Sequence, residues 1–172
     1  MRLKASLMDS VKMRRTLIKL AHIILGDNES ADRIALVGIG SRGTALAREI
    51  ASVMQAEGSR NIPVARLDPC FDAEADTRAA RELGLSVSGT SVVIVNDVLR
   101  SGRTVLAVND ALFRAGMPGS VRLAVLVDGS NGQALMKANY VGVQTRMEAS
   151  DIVSVSVKDV DGEGKVEVYN VE

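Results

Sequence analysis

The chain has 172 residues, 47% hydrophobic and 24% charged, with 21 Lys plus Arg against 21 Asp plus Glu. That length fits one domain, residues 1–172, with a real core, and zero net charge removes any global field that would pull the chain onto nucleic acid. Aromatic residues make up 2% and tryptophan is absent, so Val, Leu, Ile, Ala and Met must fill the interior. One cysteine, Cys70, excludes an internal disulfide framework. The opening MRLKASLMDS lacks the apolar stretch of a signal peptide, and no run of about 18 apolar residues occurs. A cytoplasmic protein with no membrane contact is expected.

Asp9 or Ser10 can cap a helix to about Leu25, with Val11, Leu17, Ile18, Ala21 and Ile24 as its apolar stripe and Gly26-Asp27-Asn28 as its stop. Residues 33–39, RIALVGI, read as an apolar strand, followed by a Gly40-Ser41-Arg42-Gly43 turn and a helix from Thr44 to about Ala56. Residues 62–67, IPVARL, alternate and carry a proline near their start, which suggests an edge strand. Residues 68–90 are an excursion. Ser91 to Val95 is a central strand, Thr104 to Ala115 a helix, and Val121 to Val127 another strand. NYVGVQ, DIVSVSV and KVEVYNV are short strands expected to finish the same sheet. Continuous apolar strands alternating with helices predict an α/β fold with a mainly parallel sheet covered on both faces.

Ligands of such sheets bind beyond the carboxyl ends of the strands, which selects residues 40–43, 96–104 and 128–133. Ser101, Gly102 and Thr104 lie where a strand passes to a helix, the place where backbone N–H groups cradle a phosphate. Asp97 stands just before that cradle, where a carboxylate suits the vicinal hydroxyls of a sugar. Together they suggest a ribose 5-phosphate subsite, although Asn-Asp and Ser-Gly are also ordinary turn residues. Arg42 can hold a second anionic group bidentately. Gly38, Gly40 and Gly43 have the spacing of a dinucleotide fingerprint, but no ribose-binding acid follows the next strand, and no GxxxxGK[ST] occurs.

These residues carry a family resemblance. "VVIVNDVLRSGRT" resembles the phosphoribosyl pyrophosphate signature of type I phosphoribosyltransferases: an apolar strand, two acidic positions, then a Thr/Ser-Gly-x-Thr loop. Within that family it is most similar to the pyrimidine operon attenuation protein/uracil phosphoribosyltransferase group, PyrR. The shared pattern runs in order through "RRTLIKLAHIIL", "LVGIGSRGTALA", "VARLD", "VNDVLRSGRTVLAVNDAL", "LAVLVD", "ANYVGVQT" and "DVDGEGKVEVYN". The resemblance implies a Rossmann-like type I phosphoribosyltransferase fold with a small hood at about 68–90, and a homodimer or larger homo-oligomer. It places ribose and 5-phosphate on Asn96, Asp97, Arg100, Ser101, Gly102, Arg103 and Thr104, and pyrophosphate on Gly40, Ser41 and Arg42. Asp97 and Arg42 would be the catalytic pair. Mg²⁺ would arrive with phosphoribosyl pyrophosphate, held through ligand oxygens and water, with Asp97 at most an indirect ligand. The implied reaction transfers phosphoribosyl to uracil, giving UMP and pyrophosphate. An mRNA leader is the implied macromolecular partner.

Several positions depart from the family pattern. Asn96 replaces the first acid and Arg100 replaces the tyrosine of the uracil enzymes. Residues 69–74 carry no arginine over the pyrophosphate side. Gly129-Ser130-Asn131-Gly132-Gln133 lacks the arginines and histidine of the pyrimidine side. The sugar-phosphate half of the motif is the better retained. Three readings therefore stand: a uracil phosphoribosyltransferase, an RNA-binding attenuator sensing UMP-type nucleotides, and a non-catalytic sensor acting through protein partners. Lys12, Arg14, Arg15 and Lys19, with Arg2 and Lys4, would supply phosphate contacts for the second, though a solvated helix face explains them as well. His22 and Cys70 read as structural residues, and the seven methionines as gap fillers.

Overall fold

A computed structural model describes residues 1–58, 60–69, 74, 78 and 83–171. Its elements in chain order are β1 (Arg2–Met8), α1 (Ser10–Asp27), β2 (Ile34–Ile39), α2 (Gly40–Gly58), β3 (Val64–Leu67) and β4 (Ser91–Leu99). There follow α3 (Arg103–Ala115), β5 (Ser120–Asp128), β6 (Tyr140–Gln144), β7 (Asp151–Ser156), α4 (Lys158–Asp161) and β8 (Lys165–Asn170). Five parallel strands form the main sheet in the order β3-β2-β4-β5-β6.

The apolar runs exist because both faces of this sheet are covered. On β4, Val93 and Val95 pack with α1 and α2, while Val92 and Ile94 face the opposite layer with Val105, Val108 and Leu112 of α3. All six residues of β2 are buried. The order of the strands reverses between β2 and β4. From β2 the chain winds outward through α2 to the edge strand β3, and from β4 it winds the other way through α3 to β5. Right-handed crossovers in opposite directions put their helices on opposite faces, and the carboxyl ends of β2 and β4 open a crevice between them.

Three expectations need correction. α2 begins at Gly40, so Ser41, Arg42 and Gly43 are its first turn and not a loop before it. β4 does not stop at Val95: it stays paired to β5 through Leu99↔Asp128, whereas its ladder with β2 ends at Gly38↔Val95. Asn96 and Asp97 are thus the strand residues that lose a partner on one side when β2 turns into α2. Finally, only β6 completes the parallel sheet. β7 and β8 form a separate antiparallel sheet in the order β1-β8-β7, with the polar N-terminal segment as its third strand. Alternation could not reveal β1, because Arg2, Leu3, Lys4 and Ser6 are exposed and only Met8 is fully buried.

Helix α1 is capped by Asp9, whose Oδ1 accepts from Lys12 N at 2.7 Å, and it buries Met13, Leu17, Leu20, Ala21 and Ile24. Val11, expected inward, is 58% exposed. The exposed Lys12, Arg14, Arg15 and Lys19 do lie outward. Cys70 and much of the 68–90 excursion, including the hood expectation, lie outside the described residues. Its returning end is described: Val87 is buried among the α3-side residues and Ser88 bridges to Pro118.

Candidate functional site

The first turn of α2 is fitted tightly between strands. A Cβ on Gly38 would lie 2.4 Å from Thr44 N, and one on Gly43 would lie 2.7 Å from the Val95 carbonyl oxygen. Both distances are closer than real Cβ atoms approach, so the glycine spacing reflects helix–strand packing as in dinucleotide folds, without their ribose acid. Gly40 turns the chain at φ +65. The N–H groups of this first turn have no intrahelical partners and lie at the carboxyl end of β2, where the crevice opens.

Asp97 stands on β4 beyond the last residue paired to β2. Its Oδ1 accepts from Val98 N at 2.7 Å. Burial pushes its carboxyl above the ordinary aspartate range; the Val98 N–H and the positive charge of Arg42 oppose that, and Asp161 adds to it. Asn96 is buried and spends an amide N–H on the Val98 carbonyl at 3.1 Å.

The turn after β4 is short. Gly102 is the N-cap residue of α3 in the left-handed conformation (φ 78, ψ 6) and supplies no side chain to the cap. A Cβ there would lie 3.2 Å from Leu135 N and 3.3 Å from Met136 N. Ser101 and Arg103 are exposed and Thr104 is half-buried, with Ser101 Oγ 3.4 Å from Arg103 N. The carbonyl of Ser101 accepts from Leu135 N at 2.9 Å, which pins the turn to the segment after β5. The result is a shallow, uncapped helix N-terminus beside Asp97.

Two predicted residues have different engagements from those expected. Arg100 commits Nη1 to the carbonyl of Asp151 on β7 at 2.9 Å, so it ties the turn to the second sheet. Arg42 grips Asp161 with two hydrogen bonds, Nε to Oδ2 at 3.0 Å and Nη2 to Oδ1 at 2.8 Å. Those two contacts place the second sheet across the carboxyl ends of β2 and β4. Asp161 was not among the sequence candidates. It stands 119 residues from Arg42, and the only local signal was its place in the closing "DVDGEGKVEVYN".

The third loop closes on itself. Ser130 donates N–H and Oγ–H to Asp128 Oδ1 at 2.9 and 2.7 Å. The Asn131 amide pairs both ways with Met147, donating to its carbonyl at 2.6 Å and accepting its N–H at 3.0 Å. The polar atoms that looked available for a ligand are largely spent within the fold. His22, exposed on α1 with Nε2 3.6 Å from Glu57, lies outside the crevice.

A helix N-terminus and a carboxylate meeting an arginine at a sheet's switch point invite comparison with known proteins. Residues 6–161 match the phosphoribosyl transferase domain. The chain belongs to the phosphoribosyltransferase family. As a phosphoribosyltransferase-fold protein it is PyrR-like: it is 37% identical to "Bifunctional protein PyrR" of Thermus thermophilus over 179 residues, covering 100% of this chain and 99% of that protein. Identity to the protein of the same name from Clostridium beijerinckii is 32% over 177 residues, covering 99% of each. Among solved structures, the hypoxanthine phosphoribosyltransferase of Trypanosoma cruzi superposes with a TM-score of 0.75 at 15% identity, covering 99% of this chain and 98% of that one. A hypoxanthine phosphoribosyltransferase from Staphylococcus aureus gives 0.73 at 17% identity, covering 99% and 93%. These last two establish the type I phosphoribosyltransferase fold.

Proposed function

We propose that the crevice binds a ribose 5-phosphate moiety, as phosphoribosyl pyrophosphate or a UMP-type nucleotide, and that the protein transfers phosphoribosyl to uracil. The observation that carries this is the uncapped N-terminus of α3 at Gly102–Thr104 with Asp97 beside it at the switch point. In this reading Ser101, Gly102, Arg103 and Thr104 take the 5-phosphate, as a helix N-terminus does. Asp97 accepts from the ribose hydroxyls, and the first turn of α2, Gly40 to Arg42, takes the diphosphate. Transfer breaks the C1–oxygen bond to diphosphate and joins C1 to uracil N1, whose proton leaves to the departing diphosphate or to water. The protein's task is then electrostatic: Arg42 neutralises the departing diphosphate, and Asp97 offsets positive charge developing on the ribosyl ring.

Among the described residues no group of three His, Cys, Asp or Glu could cage a metal. Mg²⁺ therefore fits as an ion carried on diphosphate oxygens and water, with Asp97 at most an indirect ligand. Bound in that way it would supply charge neutralisation at the diphosphate.

A second reading is supported by Asn96. Its amide leaves one carboxylate where the family signature has two, and the 128–133 loop is closed by its own hydrogen bonds. A nucleotide sensor that binds without turnover, and regulates pyrimidine genes through an mRNA leader or a protein partner, follows from those features. The exposed basic residues of α1 are the phosphate contacts it would use. No described helix is long and apolar enough to cross a membrane, and a cytoplasmic homodimer or larger homo-oligomer accords with either reading.

Calorimetry against phosphoribosyl pyrophosphate, UMP and GMP, run beside a Mg²⁺-supplemented assay for UMP formation from uracil, separates these readings. Binding with turnover supports the transferase, and binding without turnover supports the sensor. No binding of any of the three would refute both.

A further inference from the structure

Arg42 lies in the first turn of α2, close enough for its charge to act on Asp97, yet a carboxylate from the turn between β7 and β8 already holds it. Asp161 closes the single turn α4, and its Oδ2 also accepts from Val157 N at 2.8 Å. The acid is thereby anchored to its own turn before it reaches Arg42. A guanidinium has five N–H donors in a fixed fork. The side edge, Nε and Nη2, is spent on Asp161, which leaves the end-on edge with both Nη1 hydrogens and one of Nη2. The Arg42 and Asp161 side chains are 45% and 21% exposed, and a pair so wetted adds little to stability. Its consequence is the direction in which Arg42 points.

We infer that Asp161 is a positioning residue: from the turn between β7 and β8 it holds Arg42 side-on, so that the end-on edge meets the ligand's diphosphate. The inference rests on the reading of the α2 first turn as the diphosphate subsite. It also gives the second sheet a task, since that sheet delivers Asp161 to the carboxyl end of β2. A free arginine would sample many rotamers and lose that entropy on each binding event; an arginine already oriented loses less.

Inorganic diphosphate and ribose 5-phosphate are the probes. In Asp161→Asn, diphosphate affinity is expected to fall about threefold to tenfold, because an unanchored, rotamer-rich side chain must be ordered on binding, while ribose 5-phosphate affinity stays within about twofold. In an Arg42→Lys background, which cannot make the side-on pair, Asp161→Asn should have no further effect on diphosphate. Independently of any ligand, the Arg42 Nε–H resonance should be sharp and slow to exchange in the wild type, and averaged with solvent in Asp161→Asn. An unchanged Arg42 resonance, undiminished diphosphate affinity, or an equal loss in both backgrounds would overturn the role of Asp161. An equal loss of ribose 5-phosphate binding would mark a general structural defect and overturn it too. If the wild type itself binds ribose 5-phosphate but no diphosphate, the α2 subsite reading fails and the inference falls with it.

Discussion

Gly102→Ala probes the turn on which the proposed phosphate cradle depends. Gly102 sits at φ 78, a region that costs a residue with a Cβ about 1–2 kcal/mol. The added methyl would also stand 3.2 and 3.3 Å from the backbone nitrogens of Leu135 and Met136. Those atoms belong to a segment held by the Leu135 N–H to Ser101 carbonyl bond, so they can yield only by straining it. Overpacking of this kind adds about 1 kcal/mol at its mild end. The sum is roughly 2–3 kcal/mol, which for a chain of this size lowers Tm by roughly 4–12 °C. Gly84→Ala is the control, because Gly84 shares a positive φ (+75) and a Cβ there would meet nothing within 4 Å among the described residues. It isolates the conformational part, about 1–2 kcal/mol. Thermal unfolding measures both, and calorimetry with ribose 5-phosphate should show weakened binding in Gly102→Ala alone. A Gly102→Ala Tm no lower than that of Gly84→Ala, with ribose 5-phosphate affinity intact, would refute the steric account and the cradle together.

Gly43→Ala should be more damaging, by about 3 kcal/mol, since its Cβ would lie 2.7 Å from the Val95 carbonyl and only displacement of α2 relieves that; denaturant melts give the value. Asn96→Asp replaces an amide donor facing the Val98 carbonyl with an acceptor, and should cost about 1–3 kcal/mol at neutral pH; an unchanged midpoint would contradict the bond. Burial raises the folded-state pKa of Asp97 above its unfolded value, so this residue loses stability for the protein as pH rises through the raised value. Asp97→Asn should therefore melt higher than wild type near pH 7, converge with it below about pH 3.9, and lose ribose 5-phosphate binding. The opposite sign governs Asp151, whose carboxyl is held below the ordinary range by Lys4, the Glu148 N–H and Asn170. Its stabilisation is present above the unfolded aspartate pKa and disappears as pH falls through the depressed one. Asp151→Asn should flatten the acid limb of the melting curve, with hydrogen exchange rising first in β1 and β8.

The sequence by itself determined the apolar central strands of the main sheet. Fully buried parallel strands need apolar residues on both faces, so RIALVGI, SVVIV and VRLAVLV announced themselves without any partner in view. A tight strand-to-helix turn needs small residues, so Gly102 and its neighbours were legible for the same local reason. The Asp9 cap was legible too, since capping is settled within four residues. Tertiary structure alone decided whatever depends on residues far apart in the chain. β1 is a strand because β8 pairs with it, and its own side chains carry no clear period. β4 continues through Asn96 and Asp97 because β5 keeps pairing after β2 departs, and a linear pattern cannot show which neighbour leaves. Arg100 and Arg42 looked like free cations for a ligand until the fold brought Asp151 and Asp161 to them. Which groups a ligand still finds available was therefore set by pairing across the two sheets, because a polar side chain's partner depends on chain topology and not on its neighbours in sequence.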